Sequence, residues 1–290
     1  MRAGRVEVYV LADDYAGYEV RGLLAQHGLS MYLKVFYKGK VYSVLFDVGQ
    51  VGKAVIANSE LLGVNIKDID VIVLSHNHYD HSGGLLDVLS YVGNRRIPLV
   101  AHPDIVKPSI HIGNEAIRLN IGLPYSIDEV KDRTYTILTK DPLEVAPGTY
   151  FLGEIKRNEE YVPEFKGLYT IEDGKLVRHE LRDDTGLAVN VDGLGLVVLG
   201  GCSHSGIVNI VEQALRLTKS DVYAVIGGFH LINSSNEFID RVVRKLRDLG
   251  VSKVITGHCT GLRAEYRFLE VFGKNFIKMH TGYHTVLEGK

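Results

Sequence analysis

The sequence is short of the features that mark several specialised classes of protein. Two cysteines among 290 residues are too few for a disulfide framework, which fits a reducing cytosol. The 33 basic and 35 acidic side chains give a formal charge of −2, so no excess of positive charge favours nucleic acid. No apolar run reaches the ~18 residues that a membrane span needs. We therefore expect a cytoplasmic protein that binds neither nucleic acid nor a membrane.

Prolines are few and unevenly spread. Six of the seven lie in residues 102–180, where the alternation of predicted strands and helices is lost. The chain as a whole is 46% hydrophobic, which is enough for a large core. We predict one domain over residues 1–290, in which 102–180 is an insertion that covers the functional site.

A cluster of potential metal ligands follows the apolar run 71–74, which predicts a buried strand. His76 and His78 are two residues apart, so both can point the same way from an extended segment. Asp80 and His81 are adjacent and cannot share that direction, which indicates a second ligand set and a second metal. Imidazole and carboxylate suit zinc, with iron or manganese as alternatives. The cluster predicts a centre of two divalent cations.

Three further strand-like runs, in the second half of the chain, each lead to a histidine. These histidines are His204, His230 and His258, and a run at 42–46 ends in Asp47. One histidine after a strand is usually structural, whereas several indicate a shared edge where the strand ends meet. We expect Asp47 to orient a ligand or a bound water rather than to bind metal itself.

The pattern His-x-His-x-Asp-His after a hydrophobic strand resembles the signature of the metallo-β-lactamase superfamily. The resemblance implies an α/β fold, namely an αβ/βα four-layer sandwich of two mixed sheets flanked by helices, with two metals at one edge. Both halves of the chain alternate strands with amphipathic helices, which favours such packed layers. By its order in the chain, His258 matches the final histidine ligand of the superfamily.

The ligands between the first motif and His258 match the superfamily less cleanly. His204 is the preferred candidate, because it lies beside the apex of a loop that follows a strand. Asp184 is the second choice and Cys202 the third; a Cys202 thiolate would be a soft ligand that the metal deprotonates. If Cys202 is a ligand, the family pattern places a further histidine upstream, and His179 is a candidate for it.

A narrower resemblance involves residues 201–210, 227–231 and 257–261. They are similar to a subfamily whose archaeal members are described as dihydropterin-ribofuranosylaminobenzene phosphate synthases, which join a pterin to an aminobenzene ribosyl phosphate on the route to methanopterin. Our main prediction is a dinuclear metal-dependent hydrolase acting on a small phosphorylated or pterin-like substrate. The synthase, a transferase that would release pyrophosphate, is the alternative. A non-catalytic protein that binds a metal or ligand is a third hypothesis.

Some residues near the predicted centre are candidates for catalysis or substrate contact. Asp80 and His230 are the catalytic candidates. Phe229 could stack on a flat ring, or it is a buried core residue. Ser203 and Ser205 would contact a phosphate, or they cap the helix that follows. We expect a small, anionic substrate, and a homo-oligomer is possible.

Overall fold

The computed structural model describes residues 1–113 and 118–289. Its strands are β1 (Arg5–Ala12), β2 (Ser30–Tyr37), β3 (Lys40–Phe46), β4 (Val71–Val73), β5 (Ile97–Ala101), β6 (Ile110–Ile112), β7 (Arg118–Asn120), β8 (Thr134–Leu138), β9 (Leu143–Ala146), β10 (Thr149–Phe151), β11 (Leu168–Glu172), β12 (Lys175–Arg178), β13 (Gly186–Val191), β14 (Gly195–Gly200), β15 (Val222–Gly228), β16 (Lys253–Gly257), β17 (Phe276–Lys278) and β18 (His284–Glu288).

The helices are α1 (Gly52–Leu61), α2 (Tyr79–Ser82), α3 (Leu85–Val92), α4 (Asp128–Lys131), α5 (Ile207–Thr218), α6 (Asn236–Asp248) and α7 (Leu262–Phe272). Helix α6 shows why these segments are helical. The Ser235 hydroxyl accepts the Phe238 N–H at 3.3 Å and caps the first turn, and the side chains at 239, 242, 243 and 246 form one buried stripe. No helix in the described part of the chain is both long and apolar enough to cross a membrane.

Two seven-stranded sheets form the centre of the fold. The first has the order β18-β1-β2-β3-β4-β5-β8, and the second β17-β16-β15-β14-β13-β10-β9. Each combines parallel and antiparallel pairs, with β3-β4-β5-β8 and β14-β15-β16-β17 parallel. Val8, Phe46, Phe151 and Ile226 belong to the shared core between the sheets.

Helices cover the outer faces of both sheets. Side chains of α1 and α3 share a core with Leu45 and Ile72 of the first sheet. Side chains of α5, α6 and α7 share another with Val198 and Val225 of the second. The predicted four-layer sandwich of two mixed sheets is therefore confirmed.

The segment 102–180 differs from the predicted insertion. Strand β8 extends the first sheet beside β5, and β9 and β10 extend the second sheet beside β13. Only β6, β7, β11 and β12 form a separate four-stranded sheet. The covering part is thus narrower than 102–180, because short strands within that segment complete the two main sheets.

Candidate metal centre

Among the described residues, four groups of possible metal ligands have ligand atoms within 4.8 Å of one another. Two of the groups share no residue, while Cys202-His230-Cys259 and Asp14-His27-His258 each overlap the second of these two. The first group consists of His76, His78 and His204. The second group consists of Asp80, His81, Cys202 and His258. All seven side chains are buried. Two neighbouring cation sites are therefore available, although the role of each residue as a ligand remains a prediction.

In the first group the imidazole nitrogens face one another. His78 Nδ1 lies 3.2 Å from His204 Nε2, and His76 Nε2 is buried without a hydrogen-bond partner among the described residues. Burial lowers the pKa of all three, that of His78 to about 3, so they are neutral near pH 7. A neutral imidazole is the form that binds metal.

In the second group the ligand atoms lie at the corners of a small polyhedron. His81 Nε2 is 3.1 Å from Cys202 Sγ and 3.2 Å from His258 Nε2. Cys202 Sγ is 3.3 Å from His258 Nε2, and Asp80 Oδ2 is 3.4 and 3.3 Å from the His81 and His258 nitrogens. An atom at the centre of a tetrahedron with such edges lies about 2 Å from each corner, close to the Zn–N and Zn–O bond lengths. The donor set fits a divalent cation.

The electrostatics of the second group also favour a cation. Burial opposes protonation of His81, but the carboxylates of Asp80 and Asp47 outweigh it and raise the pKa to about 9. Burial likewise opposes protonation of His258, whose pKa is nevertheless raised by the Cys259 thiolate and by Asp14 and Asp80. The raised pKa values mean that these imidazoles hold a proton when no metal is bound, and a metal ion must displace that proton when it binds.

Asp47 fixes the orientation of two histidines. Its Oδ2 accepts the His81 Nδ1 proton at 2.7 Å, which leaves the lone pair on Nε2 facing the second group. The same carboxylate accepts the Ser75 hydroxyl and backbone N–H, both at 2.7 Å. Ser75 Oγ lies 2.9 Å from His76 Nδ1, which therefore donates to it and leaves its Nε2 lone pair for the first group.

Sequence reasoning missed Asp14 and His27, which complete the second group on its open side. Asp14 accepts the His258 Nδ1 proton at 2.8 Å and contacts His27 Nδ1 at 2.8 Å. His27 Nε2 lies 3.6 Å from Asp80 Oδ2, and more than half of the His27 side chain is exposed. The only sequence signal was an Asp13-Asp14 pair directly after the first strand.

The backbone is strained where it meets the centre. Asp47, Ser203, His230 and His258 have φ between 47° and 61°, a region that costs non-glycine residues on the order of 1–3 kcal/mol each. A Cβ on Gly201 would clash with Ser75 Oγ, so only glycine lets this loop approach Asp47 and Ser75. The surrounding hydrogen bonds and core packing must offset this strain.

Aromatic rings and a cysteine sulfur contact residues of the two groups. His230 is half-buried, with its ring centroid 4.4 Å from that of His204 and 4.8 Å from that of Phe165. The Phe165 ring packs on His204 at 4.7 Å. Cys259 Sγ lies 3.4 Å from Cys202 Sγ, and both cysteines are free thiols. Phe165 and Cys259 were not singled out from the sequence.

Five predicted candidates have other positions, namely Asp184, Ser203, Ser205, Phe229 and His179. Asp184 lies outside both groups, because its Oδ2 accepts the Ser205 backbone N–H at 2.8 Å and the Ser205 hydroxyl at 2.5 Å. Ser203 is fully buried and donates to the Gly228 carbonyl at 2.7 Å. Asp184 therefore lies outside the ligand groups, and its Oδ1 is buried without a partner among the described residues. The Ser203 and Ser205 hydroxyls bond within the protein, which does not favour them as phosphate contacts.

Phe229 is also a correction. It is fully buried and packs against Phe268, with ring centroids 5.5 Å apart, so it is a core residue and not a stacking platform. His179, the possible upstream histidine, lies outside both ligand groups as well: it lines a separate cavity with Arg178. The aromatic ring that faces the centre is Phe165 instead.

Two cavities open onto the centre. One, of about 300 Å³, is lined by His111, Phe165 and Lys166 beside the metal-site histidines. The other, of about 770 Å³, is lined by Tyr15, Ile232 and Leu262. Both include His27, His230, His258 and Cys259 in their walls. The centre therefore lies where two cavities meet. The first is lined by both Glu164 and Lys166, and the second by apolar side chains together with Asp14, Arg263 and Glu265.

The sandwich and the double ligand site define the class of this protein. A model of the metallo-beta-lactamase superfamily matches residues 35–214, and the chain belongs to that superfamily of enzymes, as its sequence motifs predict. It is 41% identical to the 7,8-dihydropterin-6-methyl-4-(beta-D-ribofuranosyl)-aminobenzene-5'-phosphate synthase of Methanocaldococcus jannaschii, over 97% of this chain and 96% of that one.

Two further comparisons agree with this family. An uncharacterized protein of the same organism is 32% identical over 95% of this chain and 98% of its own. The crystal structure of a metal-dependent hydrolase of the beta-lactamase superfamily superposes with a TM-score of 0.80 at 27% identity, covering 97% of this chain and 98% of that one.

Proposed function

We propose that the protein is a metal-dependent transferase that joins a dihydropterin to an aminobenzene ribosyl phosphate and releases pyrophosphate. The observation that carries this proposal is the 41% identity, along nearly the full length of both chains, to the synthase of Methanocaldococcus jannaschii. This likeness favours the transferase over the hydrolase that was the main prediction from the sequence. In the reaction, a C–N bond forms from the aryl amine to the pterin methylene carbon, the C–O bond to pyrophosphate breaks, and the amine loses a proton.

We assign the two ligand groups to a pair of divalent cations. His78 Nδ1 and His204 Nε2 lie 3.2 Å apart, as do His81 Nε2 and His258 Nε2, and imidazole nitrogens that converge at this distance can share one cation. Cations bound there would neutralise the charge that develops on a departing pyrophosphate. The burial of every ligand keeps that electrostatic interaction strong.

The layout of the site suits a reaction of two substrates. The anionic pyrophosphate end would lie in the cavity beside His111 and Lys166, where Lys166 would exchange its 3.9 Å contact with Glu164 for the phosphate. A flat ring would lie in the other cavity, beside Tyr15, Ile232 and Leu262. The two cavities share the wall at the metal groups, so substrates in both would meet there.

His230 and Asp80 are the proposed catalytic residues. His230 lines both cavities, and we assign to it a hydrogen bond to the substrate oxygen that carries the developing charge. Asp80 has its Oδ2 among the ligand atoms of the second group while the same side chain faces the first cavity. It would hold the cation nearest the leaving group.

A hydrolase is the second candidate, since the protein with the TM-score of 0.80 is described as a metal-dependent hydrolase. Water would then take the place of the amine, and only one of the two cavities would be needed. The buried ligand groups serve either reaction, because both require a cation beside an anionic or carbonyl oxygen.

The two functions separate in one experiment. Metal-loaded protein is incubated with a dihydropterin pyrophosphate plus the aminobenzene ribosyl phosphate, and separately with phosphodiesters, thioesters and lactones. A coupled product with stoichiometric pyrophosphate, lost in His230→Gln and kept in the surface variant Arg244→Gln, is the expected result. Ester or lactone cleavage without coupling would select the hydrolase and refute the transferase.

A further inference from the structure

We propose that a second polar cavity, between the hairpin β11–β12 and residues 103–107, is a binding site for a phosphate-type oxyanion. The cavity has a volume of about 390 Å³, and the residues that carry the proposal are Thr170, Arg178 and His179. None of them belongs to the metal ligand groups. The proposed anion site can therefore be tested independently of the metals and of the proposed transferase reaction.

His179 presents a buried hydrogen-bond donor to this region. The residue is 5% exposed, and its Nδ1 accepts the Leu181 backbone N–H at 3.0 Å. The proton of the neutral ring must therefore be on Nε2. Burial lowers the pKa of His179 to about 4, so the ring is neutral near pH 7. Nε2–H is buried and has no hydrogen-bond partner among residues 1–113 and 118–289.

Thr170 adds a second unsatisfied group to the same cavity wall. It is 2% exposed, and its Oγ1 also lacks a partner among the described residues. Buried polar side chains in folded proteins nearly always have a partner, so two such groups on one cavity indicate a ligand or ordered water there. A threonine hydroxyl and an imidazole N–H can both donate to the same acceptor.

The charges of the cavity favour an anion as that ligand. Acidic side chains also line it, but Lys107 pairs with Asp104 at 2.9 Å and with Glu172 at 2.8 Å. Glu180 is likewise paired, with Arg182 at 2.8 Å. In the part of the chain that the structure describes, Arg178 makes no ion pair. An imidazole N–H, a hydroxyl and a guanidinium remain as donors, and phosphate oxygens accept from all three.

The cavity is also linked to the active site. A neighbouring cavity of about 440 Å³ shares Arg178 and His179 and is bounded on its other side by Phe165, which packs on His204 and His230. The anion has two possible sources. It is either the phosphate end of a substrate that extends past Phe165, or a free phosphate that binds separately.

Anomalous diffraction from arsenate, a phosphate analogue, locates the site directly. Crystals of the metal-loaded protein are soaked in arsenate, together with crystals of Thr170→Val, Arg178→Gln and the surface control Arg244→Gln. We expect an arsenic peak within hydrogen-bond distance of His179 Nε2 in the wild type and the control, and its loss in the other two variants. Arsenate found only at the metal centre, or unchanged in Thr170→Val and Arg178→Gln, would overturn the proposal.

Calorimetric titration of inorganic phosphate into the same proteins gives the affinity. Loss of one charge-assisted contact should weaken this binding about tenfold or more in Arg178→Gln and leave it unchanged in Arg244→Gln. Equal affinity in the two variants contradicts the site, whatever reaction the enzyme catalyses. Binding is read without turnover, so its failure is distinct from a failure of the proposed function.

The source of the anion follows from substrate comparison. If the site holds the substrate's phosphate end, Arg178→Gln raises KM for the phosphorylated aminobenzene riboside and not for the dephosphorylated one. If it holds free phosphate, the variant treats the two substrates alike, while phosphate still binds the wild type beside His179. Either pattern supports the anion site and identifies its ligand.

Discussion

Replacing Asp47 by Asn tests whether the carboxylate keeps the His81 proton on Nδ1 and so leaves Nε2 free to bind metal in the second group. Asn has nearly the same shape and tolerates the left-handed backbone at this position, where φ is 59°. Its amide, however, can donate to His81 Nδ1, where the carboxylate accepts at 2.7 Å. The imidazole proton would then move to Nε2, the atom that faces Cys202 and His258. A protonated Nε2 cannot bind metal.

The expected loss can be set from the geometry. Asp47 contacts His81 directly but reaches His76 only through Ser75, so the second group should lose more affinity than the first. Removal of a partner that orients a histidine ligand typically weakens metal binding about 10- to 100-fold, or about 1.4 to 2.7 kcal/mol. We expect this range for the second group.

Competition for zinc with a chromophoric chelator measures the two affinities. The matched control is Asp248→Asn, the same substitution at an exposed position near the end of α6, which should bind zinc like the wild type. An Asp47→Asn protein whose two zinc affinities both stay within about twofold of the control would refute the orienting role of the carboxylate.

Three further outcomes are expected. Asp14→Asn should weaken zinc at the second group about tenfold through His258 and leave the first group unchanged in the same titration. His179 has a folded pKa of about 4, below its unfolded value, so its neutral form contributes stability above about pH 6.5 that is lost as the pH falls towards 4. Between about pH 6.5 and pH 4 the free energy of unfolding, measured with urea, should therefore fall less in His179→Gln than in the wild type, by up to about 3 kcal/mol. Phe229→Ala should lower the free energy of unfolding by about 3–5 kcal/mol, because the side chain is fully buried. Since Phe229 is a core residue, the KM of this variant for a substrate with a flat ring should equal that of the wild type.

The alternation of strands and helices and the ligand cluster at 76–81 were visible in the sequence because their signals are local, whereas the four-layer sandwich was implied by the resemblance to the metallo-β-lactamase superfamily. The ligands from His76 to His81 follow a buried strand, and their spacing alone indicates that His76 and His78 point one way while Asp80 and His81 cannot both do so. His204 and His258 were found by the same rule, since each follows an apolar run that becomes a parallel strand of one sheet. Neighbouring parallel strands end at the same edge of a sheet, so a histidine that directly follows any one of them lies near this edge.

The partners of those histidines were harder to predict. Asp14 binds His258 across 244 residues of sequence, and no periodicity connects the two positions. The direction of the Phe229 side chain could not be predicted for another reason. A Gly-Gly-Phe-His segment does not reveal which side of the strand end its phenyl ring faces, and here that side is the core. Phe165 lies in an irregular segment with no pattern to mark it.

The segment 102–180 shows a similar limit. Its prolines correctly indicate irregular chain, but the sequence does not reveal that short strands within it, such as β8 and β10, belong to the two main sheets. Their place in the main sheets depends on pairing with β5 and β13, which are distant contacts. Tertiary pairing, rather than local preference, decides such strands.

Metal content combined with anomalous diffraction tests the central claim most directly. We expect about two equivalents of zinc, iron or manganese per chain. One anomalous peak should lie among His76, His78 and His204, and the other among Asp80, His81, Cys202 and His258. A chain purified with its metals retained that binds a single ion, or whose ions lie away from these side chains, would contradict the account.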